Sequence, residues 1–149
     1  MTGSEVIGFL QTCKTGVLTT LDSDGWPHSV AMWFALDDGR VRMWTYAKSQ
    51  KVRNIERDPR VAFLAETGDS YSELRGVLVR AEVEVVRAFE DVRSVGLALN
   101  DRYVVPSAPE AASDRGVLAE IERQAHKRVA LVLSLEKVAS WDHRKLAGS

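Results

Sequence analysis

Between Val77 and Val85 the chain alternates with a period of two: Val77, Val79, Ala81, Val83 and Val85 against Leu78, Arg80, Glu82 and Glu84. That pattern specifies a β-strand with one buried face, and such a strand needs neighbours to pair with. They follow one another closely. Thr15 to Leu21 reads as a strand, Asp22-Ser23-Asp24-Gly25 as a turn, His28 to Leu36 as a second strand. Asp37-Asp38-Gly39 turns the chain into a third, Val41 to Tyr46. Turns this short between β-rich runs indicate an antiparallel meander. Val61 to Ala65 adds a strand, and so does Val129 to Val138, with Leu131, Leu133 and Leu135 on one side and Ala130 and Val132 on the other. Six strands in this order predict a mainly β protein with flanking helices: a six-stranded antiparallel barrel, closed or nearly so.

The helices fall between strands and at their ends. Ser4 is placed to cap a helix in which Val6, Ile7 and Leu10 share a face. Ser49 is placed to cap another, which Pro59 ends near Asp58. Glu90 to Tyr103 has helical spacing through Val92, Val95, Leu99 and Tyr103; Pro106 to Pro109 is a loop; Asp114 to Ala125 is amphipathic through Val117, Leu118 and Ile121. No repeat or linker divides the 149 residues, 45% of them apolar, so one domain over 1–149 is expected. The longest apolar run, Val30 to Leu36, is far too short for a membrane span. The single cysteine, Cys13, excludes a disulfide framework and suits a reducing compartment. Without a basic, then apolar, N-terminal stretch, a cytoplasmic location is expected. A net charge of −1 and a pI near 6.3 argue against a nucleic-acid partner.

Chemistry concentrates in Ala47 to Asn54, which leaves a strand and enters a helix. The first turn of that helix presents unpaired N–H groups and the positive end of the dipole. Ser49 can cap or bind an oxygen, and Lys51 puts a cation where a lysine is normally disfavoured, which makes sense if a phosphate binds there. Lys48, Lys51, Arg53, Arg57 and Arg60 outnumber Glu56 and Asp58 in the same stretch. A capped surface helix with incidental cations accounts for the same residues. Trp33 and Phe34 lie on the second strand; Arg42, Trp44 and Tyr46 share a face of the third. The aromatics can wall a flat ligand, with Ser29 and Thr45 as hydrogen-bonding groups, or pad a core or dimer surface. His28, His126, His143 and Cys13 have no metal-ligand spacing, so no metal is expected. P-loop, G-x-S-x-G and G-x-G-x-x-G patterns are absent, so a bound cofactor would have to carry any catalysis, and no side chain is assigned a catalytic role.

Several runs together resemble a known family. They are Thr15-Gly16-Val17-Leu18-Thr19-Thr20, Asp24-Gly25-Trp26-Pro27-His28 and Met32-Trp33-Phe34; then Lys48-Ser49-Gln50-Lys51 with Asn54, and Arg57-Asp58-Pro59-Arg60-Val61; finally Lys127-Arg128-Val129 and Ser140-Trp141-Asp142-His143-Arg144-Lys145-Leu146. Their order and spacing resemble the flavin/deazaflavin oxidoreductases, the split β-barrel group related to pyridoxamine 5′-phosphate oxidase, and most of all the actinobacterial enzymes that use coenzyme F420. The resemblance implies a homodimer with cofactor at the interface. It places ring contacts on Ser29, Val30, Ala31, Met32 and Trp33 and on Trp44, Thr45 and Tyr46, and phosphate contacts on Ser49, Gln50 and Lys51. Further contacts would come from Asn54 and from Trp141 and Asp142 of the partner subunit. Pyridoxamine-phosphate oxidases carry an arginine and a lysine on the second strand for the FMN phosphate, and His28 to Leu36 has neither. Their Arg-x-His pattern near the C-terminus is also missing. The expectation is therefore F420, with FMN as the alternative, and hydride transfer to a small unsaturated or conjugated molecule; a non-catalytic flavin or deazaflavin carrier is the rival outside enzymology. The two apolar faces of the last strand and the aromatic hairpin are expected to need a second chain to cover them.

Overall fold

Nine strands arise where six are expected, because three of the six change sheets partway along. The computed structural model describes residues 1–148; Ser149 lies outside the described residues. The second expected strand divides into β2 (Pro27–Met32) and β3 (Ala35–Asp37), the fifth into β6 (Arg75–Glu82) and β7 (Glu84–Val86), and the last bends at Leu135-Glu136 to give β8 (Arg128–Ser134) and β9 (Lys137–Asp142). With β1 (Gly16–Leu21), β4 (Arg40–Tyr46) and β5 (Arg60–Thr67) they form two antiparallel sheets, ordered β2-β1-β5-β6-β9 and β3-β4-β8-β7. The six-stranded barrel is thus corrected to five strands facing four.

Two of the three breaks have a specific hydrogen-bond remedy, as buried backbone groups require. At Phe34 the ladder stops, and the Tyr103 hydroxyl accepts from the Phe34 N–H at 3.2 Å and donates to the Phe34 carbonyl at 3.1 Å. At Val83 the N–H donates to the Pro59 carbonyl at 2.8 Å.

The two sheets enclose one core. Leu18, Phe63, Val77 and Val79 come from the first sheet, Val41, Met43, Leu131 and Leu133 from the second, and Phe34 from the bend between them. Helix α1 (Gly3–Thr12) adds Val6, Phe9 and Leu10, and α2 (Gln50–Arg57) adds Val52 and Ile55. The cap of α1 is Thr2, not Ser4: its hydroxyl accepts from the Glu5 N–H while the Glu5 carboxylate accepts from the Thr2 N–H.

The second face of the last strand is covered from within the chain, which removes one expected reason for a dimer. Every residue from Val129 to Leu133 is buried. Val129, Leu131 and Leu133 face the core, whereas Ala130 joins a second cluster with Val92, Val95 and Leu99 of α3 (Phe89–Leu99) and Ala125 of α4 (Arg115–Ala125). Trp44 is packed there too, over Gly96, where an added Cβ would lie 2.5 Å from its ring. Beyond Leu99 the helix continues as a π turn, Asn100–Val104, that carries Tyr103 to the Phe34 break. The outer face of the five-stranded sheet stays open instead. Across it runs one register of apolar residues from all five strands: Ala31, Val17, Leu64, Leu78 and Ala139. None of these five is buried.

Candidate cofactor site

The turn from β4 into α2 builds the site's polar end. The Ala47 N–H donates to the Lys127 carbonyl at 2.9 Å and the Ser49 N–H to the Tyr46 carbonyl at 3.0 Å, so this turn is tied to the start of β8. In the β4–β8 register Tyr46 faces Arg128, whose guanidinium carbon lies 4.1 Å from the Tyr46 ring centre and 4.7 Å from that of Trp44. Ser49 occupies the position before α2, but its hydroxyl makes no capping bond; Oγ is buried with no hydrogen-bond partner among the described residues. The expected cap is therefore corrected to an unused donor and acceptor at a helix N-terminus. Lys51 follows in the first turn. Burial, and then the charge of Arg128, hold its ammonium below the usual lysine range. Among the described residues neither Lys51 nor Arg128 has an ion-pair partner. Two neighbouring cations, a buried hydroxyl and a helix N-terminus form a cradle for an anion.

Asn54 belongs to the frame of this cradle. Its Oδ1 accepts from Gln50 Nε2 at 2.9 Å and from Arg57 Nη2 at 3.3 Å; its Nδ2 donates to Thr20 Oγ1 at 3.0 Å and to Asp22 Oδ1 at 2.8 Å. An asparagine amide has no further capacity. The fully buried Asn54 thus pins α2 to β1 and has nothing left for a ligand, which corrects its expected contact role. Gln50 is held in the same network by its amide.

The residues expected to contact a ring divide by face. On β2, Ser29 and Ala31 point outward, as does Trp33 just beyond the strand, while Val30 and Met32 pack against the core. Thr45 is buried on the face opposite Trp44 and Tyr46. Continuing the β3–β4 register from Ala35 and Arg42 sets Trp33 level with Trp44, Ala31 with Tyr46 and Ser29 with Lys48. No pairing follows this register, because the strands part at Phe34 and leave unpaired edges on β2 and on the second half of β4. The split lies between those edges, with the anion cradle at one end and Trp33 at the other.

Trp141 and Asp142 do not join the group within one chain. They end β9, at the opposite edge of the sheet from β2. The Trp141 indole covers Gly76, and Arg144 beside Asp142 holds that carboxyl down at about 2. A broad groove of about 780 Å³, lined in part by Thr19, Ala62, Arg80 and Lys137, crosses the open sheet face rather than the cradle.

Sequence reasoning overlooked Arg128 and Tyr103 as parts of the site. In the sequence Arg128 stands only within the Lys127-Arg128-Val129 run, and Tyr103 only closes the helical spacing that begins at Glu90. The available signal was the Lys127-Arg128-Val129 run, whose strand neighbour is Tyr46 only once the β4–β8 register is known. Among the described residues no cluster of metal-ligating side chains occurs and no helix is long and apolar enough to cross a membrane.

Two antiparallel sheets with flanking helices make a split-barrel fold, and the comparisons agree on that fold. The profile of the pyridoxamine 5′-phosphate oxidase family matches residues 3–142. The chain belongs to that family, within the flavin/deazaflavin split-barrel oxidoreductase superfamily. It is similar to a conserved hypothetical protein from Mycobacterium tuberculosis, with 39% identity and a TM-score of 0.89 over 99% of this chain and 88% of the other. It is also similar to a structure described as an F420 reductase, at 30% identity and TM-score 0.65, covering 89% of this chain and 94% of that one. The haem storage protein HutZ from Vibrio cholerae, at 17% identity and TM-score 0.68 over 93% and 92% of the two chains, shares the fold. No curated protein matches the chain.

Proposed function

We propose that this protein is a homodimeric oxidoreductase that uses reduced coenzyme F420 to deliver a hydride to a small unsaturated or conjugated molecule. The observation that carries this reading is the cradle: a part-buried Lys51 acted on by the charge of Arg128, neither with an ion-pair partner among the described residues, and the buried Ser49 hydroxyl unpartnered at the start of α2. Such a grouping is costly without an anion and favourable with one. It fits the phosphate of a phosphate-bearing cofactor, held by Ser49, Gln50, Lys51 and Arg128. Ser29, Ala31 and Tyr46 would line the ring, Trp33 would stand past its far end beside the Phe34 break, Val30 and Met32 would support the ring from behind, and Trp44, Thr45 and Asn54 would hold the frame. When bound, reduced deazaflavin supplies the hydride; the side chains bind, orient and exclude water. Trp141 and Asp142 of the partner subunit would close the groove. The open apolar row on the five-stranded sheet is the surface for that second copy.

F420 is favoured over FMN by the 30% identical F420 reductase and by the lack of arginine or lysine from His28 to Leu36. Adding each cofactor to the purified protein and following absorbance and fluorescence distinguishes the two. Oxidation of the reduced cofactor by enones or quinones then separates an enzyme from a carrier. Tight F420 binding with turnover supports the proposal; preferential FMN binding transfers it to a flavin enzyme; binding without turnover makes the protein a carrier.

A further inference from the structure

Trp33 and Tyr103, seventy positions apart in the chain, stack with ring centres 4.3 Å apart and planes within 1°. Tyr103 cannot easily turn away. Its hydroxyl is bonded to both the N–H and the carbonyl of Phe34, and the Arg102 guanidinium lies 5.4 Å from its ring centre. Arg102 is itself anchored to the carbonyls of Leu10 at 2.9 Å and Cys13 at 2.6 Å, at the end of α1. The π turn therefore fixes one face of the Trp33 indole. The rest stays wet: Trp33 is 51% exposed. Trp26 is more exposed still, at 70%, but sits in the β1–β2 turn region with no stacked ring among the described residues, so exposure alone does not explain the arrangement at Trp33. An ordered indole with an open face is a preformed stacking surface. The neighbouring residues on the same side of β2, Ala31 and Ser29, are small and leave the space along the strand free. In the β3–β4 register projected past Phe34, which no pairing continues, Ser29 falls level with Lys48 and Trp33 with Trp44.

We propose that the open face of Trp33, held by Tyr103, is the platform on which a flat conjugated acceptor stacks, with Tyr103 as the positioning residue that sets acceptor specificity. This rests on the reading of β2 as the ring-binding strand, with the cofactor entering phosphate-first at Ser49 and Lys51 and the acceptor meeting it from the Trp33 end. In the reaction, reduced deazaflavin gives up a hydride and a proton, and a quinone acceptor gains the equivalent of both to become the hydroquinone.

The test uses menadione as a flat bicyclic probe and cyclohexenone as a small one. Trp33→Leu and Tyr103→Leu should each raise the menadione KM about tenfold, the scale of losing an aromatic stack. The cyclohexenone KM should change by much less, kcat at saturating menadione should persist, and F420 affinity should stay within about twofold. Tyr103→Phe, which keeps the ring, should retain most of the menadione affinity. Trp26→Leu is the control and should change nothing. An unchanged menadione KM in Trp33→Leu overturns the proposal. So does an equal loss of F420 affinity, which makes Trp33 a cofactor wall, or dissociation of the protein in sedimentation, which makes it an interface residue. If Tyr103→Leu fails to fold, Trp33→Leu, at an exposed position, decides the matter alone. If the wild-type protein binds neither F420 nor FMN, the proposed function fails. Menadione binding to the cofactor-free protein, followed by equilibrium dialysis in wild type and Trp33→Leu, still decides the platform: a weakened variant supports it and equal binding overturns it.

Discussion

Arg128 lies across the Tyr46 ring at 4.1 Å and adds its positive charge to the neighbourhood of Lys51, whose ammonium burial already holds below its ordinary range. The aromatic face offsets part of the cost of holding the guanidinium in place. It does nothing for the repulsion between the two cations, which is stronger where water is partly excluded. The folded protein thus keeps an electrostatic conflict that a bound anion would relieve. Conflicts of this kind are characteristic of functional sites.

The first prediction follows from that conflict. Lys51→Ala should weaken binding of the phosphate-bearing cofactor about ten- to hundredfold, the scale of a charge-assisted hydrogen bond. The deficit should shrink as salt rises. Lys14→Ala is the appropriate control, because Lys14 is exposed, whereas Lys145 is paired with Glu5 at 2.9 Å and is not neutral to the fold. Equal, small effects of both substitutions would remove the phosphate from this site.

The same lysine predicts a pH dependence. Its folded pKa is below the unfolded value, so between the two the unfolded chain binds more protons and stability rises with pH through that window. Lys51→Met should flatten this rise and leave the cofactor-free protein no less stable near pH 7. Thermal melts from pH 7 to 10.5 check it. A wild-type curve that falls throughout that range, with no difference from Lys51→Met, contradicts it.

Ser49 and Thr2 are both hydroxyl residues preceding a helix, yet only Thr2 caps. Thr2→Ala should cost about 1 kcal/mol in urea unfolding. Ser49→Ala should cost little or nothing in stability and still weaken cofactor binding. A capping-sized loss at Ser49 would mean the hydroxyl serves the helix instead.

How far the sequence carries the fold can be judged at such positions. The hairpins, the alternation from Val77 to Val85 and the helices α2, α3 and α4 follow from local periodicity and turn residues. What periodicity cannot show is where a strand leaves one sheet for another. The bend at Phe34 depends on a hydroxyl from Tyr103, and the covering of Ala130 depends on helices elsewhere in the chain. Likewise Ser49 and Lys51 stand out in the segment as candidate anion contacts, beside the reading of a capped surface helix, whereas Arg128 comes to face Tyr46 only through the β4–β8 register. Asn54 looks like a ligand in sequence because the frame that uses up its amide, Thr20 and Asp22, lies more than thirty residues away.

Two glycines in helices should respond to alanine in opposite directions. Gly8 in α1 is exposed with nothing near an added Cβ, so Gly8→Ala should stabilise by about 0.5–1 kcal/mol. At Gly96 the new Cβ would meet the Trp44 ring at 2.5 Å and Ile121 at 2.9 Å, so Gly96→Ala should destabilise by about 1–3 kcal/mol as α3 is pushed off β4. A stabilising Gly96→Ala would mean that Trp44 is not packed in the helical layer.

The final prediction concerns the second copy. Sheet two is covered by α3 and α4, and the outer face of sheet one presents Ala31, Val17, Leu64, Leu78 and Ala139 in a single register across all five strands. Val17 alone keeps 37% of its surface in water. A continuous apolar row on a sheet is the kind of surface that a copy of the same sheet can cover, because a two-fold axis matches the row to itself. The wild-type protein should therefore sediment as a dimer at micromolar concentration. Leu64→Glu, at the centre of the row, places a carboxylate against its own symmetry mate's surroundings and should yield a folded monomer, since Leu64 points away from the barrel core. Cofactor affinity should drop with dissociation, because Trp141 and Asp142 lie at the far edge of their own sheet from β2 and would reach the groove only from the partner. A wild-type monomer that binds cofactor tightly would sink both halves of the argument. A Leu64→Glu monomer with undiminished affinity would keep the dimer and confine the site to one chain.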